Sequence, residues 1–226
     1  MNNRPTQETI FSSYESDNYF ERRNKRNAKL NEKKDFPMRL IELYELIPKK
    51  VLEIGAADGE RLSLIAKKHN ANVYAIEPST KAISLGKKKF PSVNYVKGVG
   101  FDIPLNETFD LIIVNFVLHW VDRSNLLRTV SEIDRLLNEN GYLIIGDFLP
   151  SNMSKVIYHH IKDQKVYTYK QNYASIFLAS GLYHSICLIT GDHASDKLVC
   201  DVNEKDRIGT WLLKKKLNEH YGKMSY

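Results

Sequence analysis

Apolar residues follow two alternating rhythms along this chain. Short segments rich in aliphatic, β-branched and aromatic side chains predict strands at 50–54, 72–76 and 93–97. The run Phe109–Asn115 is apolar on both faces and predicts a fully buried strand. Between these runs, residues 59–69, 79–89 and 126–137 carry apolar side chains at the three- and four-residue spacing of one helix face. Residues 138–141, Asn-Glu-Asn-Gly, predict the stop of the last helix, and 142–148 the next strand. Such alternation predicts an α/β fold of the Rossmann-like, doubly wound class, a mostly parallel sheet with helices on both faces.

The pattern changes at both ends. Residues 1–36 are polar with interspersed aromatics, Phe11, Tyr14, Tyr19 and Phe20, and predict short helices forming a lid segment. Pro37 opens an amphipathic helix over 38–47, and Pro48 closes it. The remainder, 37–226, is expected to be one domain. After Pro150 the rhythm breaks, so about 150–170 is expected to be an insertion rich in Tyr, His and Lys. A helix over 171–180 ends at Gly181, and extended segments at 183–191 and 206–214 allow an antiparallel pair. The count is seven strands, with an antiparallel strand at one edge.

Composition narrows the function classes only modestly. The 226 residues suffice for one well-buried α/β domain, at 42% apolar and 27% charged residues. No run approaches the ~20 apolar residues of a membrane span. The first residues lack the apolar core of a secretory signal, so the expected location is cytoplasmic. Two cysteines, Cys187 and Cys200, make neither a disulfide framework nor a zinc site, and no metal is expected. The net charge of +6 is spread over Arg22-Arg23, Lys67-Lys68, Lys87 to Lys89 and Lys214 to Lys216. Several of these fall at predicted helix ends, where cations complement the dipole; a basic surface for RNA is the competing reading.

The chemistry concentrates at residues 51–59, Val-Leu-Glu-Ile-Gly-Ala-Ala-Asp-Gly, a buried strand that passes through small residues into a helix. The next strand ends in Glu77. Small residues admit a ligand to the backbone, and a carboxylate at the neighbouring strand tip accepts both hydroxyls of a ribose. A pyrophosphate-bearing dinucleotide fits poorly. Asp58, a candidate helix cap, and Glu60 would oppose its charge, and Gly55-x-x-x-Gly59 departs from the Gly-x-Gly-x-x-Gly spacing. A nucleoside cofactor without phosphates fits better, and S-adenosylmethionine is one.

Four segments in order now resemble the class I S-adenosylmethionine-dependent methyltransferases. They are residues 51–59, residues 74–79 (Tyr-Ala-Ile-Glu-Pro-Ser), residues 109–120 and residues 136–147. The tail, with Tyr158-His159-His160, Tyr167, Tyr169, Lys170 and Asp206-Arg207, looks like a subgroup associated with polysaccharide or sugar modification. By position, the resemblance implies that Gly55, Ala57 and Gly59 line the cofactor, with Glu53 behind them. It implies that Glu77 holds the ribose and that Pro78 and Ser79 shape the adenine edge. Gly100, Phe101 and Asp102 would contact adenine, and Asn115 and Phe116 would bracket the methionyl group. S-adenosylhomocysteine would be the product. Ala57 stands where the family has a central glycine, and Val99 where it commonly has a polar residue.

Methyl transfer to a hydroxyl gains from a general base, and His119 and Asp147 stand at strand ends where one is needed. Each has a plain alternative: packing beside Trp120 for His119, loop capping for Asp147. Tyr158, Tyr167, Tyr169 and Tyr173 suit a sugar or nucleotide-sugar pocket, or ordinary packing. One of Arg22 and Arg23, with Tyr14 and Tyr19, could close over the cofactor. The expected function is therefore methyl transfer to a small-molecule acceptor, a sugar hydroxyl among the candidates. RNA methylation and a non-catalytic binding subunit of the same fold are the alternatives. Nothing in the chain sets an oligomeric state.

Overall fold

The computed structural model describes residues 6–25, 29–161, 164–195, 197–199, 201 and 203–218. Cys200 lies outside them. Ten strands and seven α-helices are described. The strands are β1 (Lys50–Ile54), β2 (Asn72–Glu77), β3 (Val93–Lys97), β4 (Phe109–Asn115), β5 (Leu137–Phe148), β6 (Ser154–Ile157), β7 (Tyr167–Lys170), β8 (Tyr183–Asp192), β9 (Lys197–Leu198) and β10 (Arg207–Lys215). The helices are α1 (Gln7–Ile10), α2 (Ser16–Asn24), α3 (Phe36–Leu43), α4 (Glu60–His69), α5 (Thr80–Lys89), α6 (Leu126–Leu136) and α7 (Ala174–Ala179). A π-helical turn, Phe11–Glu15, joins α1 to α2.

One sheet orders the strands β3-β2-β1-β4-β5-β10-β8-β9. β1 to β5 pair in parallel, as their two-sided apolar character predicts. One face packs Leu52, Ile54, Ile112, Val114 and Ile145 against α6 and α7. The other packs Val51, Ala75, Leu111, Ile113 and Ile144 against α3 and α4. α6 buries one side, at Leu126, Thr129, Ile133 and Leu136, while Leu127 faces solvent. Local signals set the helix starts: Asp35 caps α3 through the Met38 N–H, and Ser79 caps α5 through the Ala82 N–H.

Three expectations need correction. The sheet has eight strands, because the two-residue β9 pairs with the outer end of β8. The antiparallel strand β10 lies inside the sheet rather than at its edge, hydrogen-bonded to β5 and β8. Its side chains Ile208, Leu212 and Leu213 are buried, whereas β8 is mostly half-buried or exposed, as suits a strand nearer the sheet edge. α3 stops at Leu43, well before Pro48: Glu45 turns to φ +47° and the Leu46 N–H bonds back to the Ile41 carbonyl.

Two smaller differences concern the β5 approach and the insertion. β5 begins directly after α6, where Leu137 pairs with Phe109. The register then shifts, and Asn140 takes φ +65° before Tyr142 rejoins the ladder. The 150–170 insertion holds a separate antiparallel hairpin, β6 with β7. It meets the N-terminal segment through an apolar cluster of Ile10, Tyr158, Ile161 and Val166, flanked by Phe11 and Trp120.

Candidate active site

The parallel strands end side by side, and backbone bonds tie the loops that leave them. Gly55 N–H donates to the Ile76 carbonyl at 2.8 Å, Gly98 N–H to Glu77 at 3.3 Å, and Phe116 N–H to Gly146 at 2.8 Å. The turn after β1 needs left-handed backbone three times, at Gly55 (φ +74°), Ala57 (φ +51°) and Gly59 (φ +77°). A Cβ on Gly55 would come within 2.4 Å of Val117 Cγ2, so the glycine is required by the β4 loop beside it.

Glu77 is the anchor of this turn. One carboxylate oxygen accepts the Ala57 N–H at 2.8 Å and the other the Ser79 N–H at 2.9 Å. Burial raises its carboxyl from 4.5 to about 7, against the opposing pull of those two N–H donors. Each oxygen keeps lone-pair capacity beyond one backbone donor, which suits the two hydroxyls of a ribose. A phosphate fits the same turn badly: Asp58 and Glu60 flank it, and the α4 cap is Gly59, with no side-chain cap from Asp58. Asp58 instead faces Arg23 at 4.0 Å. A cavity of about 720 Å³ opens on that side, between Phe20, Arg23, Lys29, Asp58, Glu60 and Lys89, with both signs of charge on its rim.

The other sequence-derived residues are placed unevenly. Pro78 and Ser79 follow Glu77, and the buried Ser79 hydroxyl donates to Asp17 of α2 at 2.6 Å. Gly100 lies against Thr129 of α6, and the Arg128 guanidinium covers the Phe101 ring at 5.4 Å. Asp102 is exposed. Asn115 reaches over Gly146, where a Cβ would meet its Oδ1 at 2.1 Å. Phe116 turns to φ +56°. Glu53 is engaged elsewhere: it is buried, ion-paired to Arg61, and its second oxygen has no hydrogen-bond partner. Arg61 also holds Asp35 at 2.7 Å, so the triad joins β1, α4 and the cap of α3.

His119 and Asp147, separate candidates in the sequence, meet. His119 sits in the short turn Leu118–Trp120 after β4, and its Nδ1 lies 2.9 Å from Asp147 Oδ1 at the end of β5. The His119 and Phe148 N–H groups also donate to this carboxylate, at 3.2 and 2.7 Å. A carboxylate on Nδ1 keeps the proton there and leaves Nε2 as the basic nitrogen. Both side chains are buried, at 4% exposure each. Rings enclose the imidazole: Trp120 at 4.9 Å, Phe148 at 5.2 Å and Phe116 at 6.1 Å.

The cover over this turn joins Phe11, Tyr19, Arg22 and Tyr158, which the sequence had offered, to Gln7 and Glu15, which it had not. The Gln7 amide inserts beside β7, donating to Trp120 and Tyr167 carbonyls at 2.7 and 2.9 Å and accepting the Tyr167 N–H at 2.9 Å. Buried Glu15 pairs with Arg22 and accepts the Tyr158 hydroxyl. Phe11 stacks on Trp120 at 4.8 Å, and Tyr19 meets its edge at 4.7 Å. Of the four tyrosines expected to line a pocket, Tyr158 and Tyr173 are buried in packing. No local motif marks Gln7 or Glu15, because their partners lie far along the chain. His159 and His160 are exposed, and among the described residues no His, Cys, Asp and Glu group could hold a metal.

Strand order, parallel pairing and a small-residue turn at the strand tips together decide the architecture. The chain has the class I methyltransferase fold. A family profile described as "Methyltransferase domain" matches residues 52–145, from β1 into β5. An uncharacterized methyltransferase of Alkaliphilus oremlandii is 28% identical over 148 residues, 60% of this chain and 68% of that protein. The ubiquinone/menaquinone biosynthesis C-methyltransferase of Campylobacter jejuni is 26% identical over 118 residues, 49% of each chain, so the alignment spans about half of that enzyme. Among solved structures, a Burkholderia thailandensis 1,6-didemethyltoxoflavin-N1-methyltransferase superposes with a TM-score of 0.68 at 14% identity. That match covers 92% of this chain and 88% of the other. Outside the profile, residues 6–24 and the 150–170 hairpin of this methyltransferase-fold chain form its cover.

Proposed function

We propose that this protein is an S-adenosylmethionine-dependent methyltransferase acting on a small-molecule acceptor, with His119 as general base and Asp147 as its orienting partner. The observation that carries the reading is the Glu77 cradle, a buried carboxylate held by the Ala57 and Ser79 N–H groups beside a small-residue turn. Glu77 would hold the ribose hydroxyls, while Gly55, Ala57 and Gly59 would let the cofactor approach the backbone. Phe101 beneath Arg128 would border the adenine, and Asn115 and Phe116 the methionyl end.

S-adenosylmethionine, when bound, would supply an electrophilic methyl group, and His119 Nε2 would take the proton that the acceptor hydroxyl gives up. Asp147 steadies the imidazolium that results. The closed cover excludes water from the dyad.

The test is titration calorimetry with S-adenosylmethionine and S-adenosylhomocysteine, followed by transfer of a labelled methyl group into a small-molecule extract. His119→Gln is expected to lower turnover by roughly 10²–10⁴-fold and leave S-adenosylhomocysteine affinity unchanged. Cofactor binding without any turnover would favour the non-catalytic alternative. Absence of binding would end the reading.

A further inference from the structure

Resting on the methyltransferase reading, we infer that the acceptor is a planar hydroxyaromatic compound whose ionised oxygen meets Lys170 beside the His119–Asp147 dyad. Aromatic rings surround His119, set edge-to-face to it. Phe148 is the shared floor: the His119 ring meets it at 5.2 Å, the His193 ring at 5.1 Å, and the Lys170 ammonium lies over its face at 3.9 Å. Phe116 completes the wall, 5.1 Å from His193 and 5.6 Å from Phe148. Such rings match the face of another ring.

Sugar recognition needs many oriented hydrogen-bonding groups, and two of the four tyrosines expected to supply them are committed elsewhere. Tyr158 serves Glu15 and Arg22, and Tyr173 donates to the Tyr169 carbonyl at 2.6 Å. Beside the dyad the Lys170 ammonium lies among aromatic rings. Lys170 donates to the Lys205 carbonyl at 2.6 Å, which fixes it over Phe148. Burial pushes its ammonium below the ordinary lysine range, while Asp206 and Asp147 pull it back, so it is a partly desolvated charge. A partly desolvated cation over an apolar floor stabilises a delocalised oxyanion more than a neutral hydroxyl. Aromatic hydroxyls ionise near pH ~10, within reach of an imidazole aided by a cation, whereas sugar hydroxyls ionise far higher.

The probe is para-nitrophenol, whose anion is yellow, titrated with pH in the presence of the protein and S-adenosylhomocysteine, with UDP-glucose as the sugar arm. The expected result is a bound nitrophenol that ionises at least ten times more readily than the free compound. Lys170→Arg keeps that shift and Lys170→Met abolishes it, with both variants retaining S-adenosylhomocysteine affinity. If S-adenosylhomocysteine binds but nitrophenol does not, or if UDP-glucose displaces it and is methylated once S-adenosylmethionine replaces S-adenosylhomocysteine, the acceptor assignment fails while the methyltransferase reading stands. An unchanged shift in Lys170→Met overturns the role of Lys170. Failure of S-adenosylhomocysteine itself to bind removes the underlying reading.

Discussion

At Glu77, burial and hydrogen bonding pull in opposite directions. The folded state holds its proton up to about pH 7, while an unfolded carboxyl releases it near pH ~4.3. Across that window the native state binds more protons, so this group's contribution to stability falls as pH rises, by on the order of 3 kcal/mol. The urea midpoint of the ligand-free protein should drop from about pH 5 to about pH 7, and Glu77→Gln should flatten the dependence. An ionised carboxylate accepts ribose hydroxyls better, so S-adenosylhomocysteine affinity should rise over the top of the same range; a flat calorimetric profile would contradict the ribose assignment. Gly55 makes a different point. A close approach to a ligand explains a small residue there, yet the added Cβ would strike Val117, 2.4 Å away. Gly55→Ala should therefore cost about 1–3 kcal/mol in ligand-free thermal stability. Val117→Ala placed alongside it should recover part of that loss.

At the scale of elements, the turn between β1 and α4 is braced from below by Arg61. This guanidinium holds Glu53 of β1 and Asp35 at the cap of α3. Burial raises the Glu53 carboxyl and Arg61 opposes the rise, while the paired carboxylates hold the Arg61 proton more tightly than usual. Arg61→Met would strand Glu53 in the core and is expected to cost about 3–5 kcal/mol. Glu53→Leu combined with Arg61→Met should restore most of that in a urea titration; if the double variant is as unstable as the single one, the brace is not electrostatic. The elements themselves were legible wherever one local rule decided them. Helical spacing over 79–89 announced α5, and the apolar run within Phe109–Asn115 announced β4. The end of α3 was not legible, because a turn at Glu45 reverses the chain before Pro48 is reached.

Taken whole, the molecule spreads its charge of +6 over separate duties rather than one stripe. Lys67, Lys68 and Lys87 to Lys89 close helices α4 and α5, as the helix dipole favours. Lys215 is buried, donating to the Asp134 and Leu137 carbonyls. Arg22, Arg61 and Arg123 are tied to Glu15, Glu53 and aromatic rings. Binding of total RNA should be weak and lost by ~0.15 M salt, and excess RNA should leave methyl transfer to a small acceptor unchanged. RNA competition that survives salt would restore the nucleic-acid alternative. The strand–helix alternation, the tip carboxylate and the small-residue turn are consequences of local periodicity and spacing, so the chain alone determined the parallel core of the sheet and the place of the small-residue turn beside Glu77. Its partners in three dimensions came only from the fold. Asp147 reaches His119 across 28 residues, Gln7 reaches Tyr167 across 160, and β10 sits inside the sheet rather than at its edge. Contacts between distant segments depend on closure of the whole chain, and no local pattern records which side chain a loop will meet.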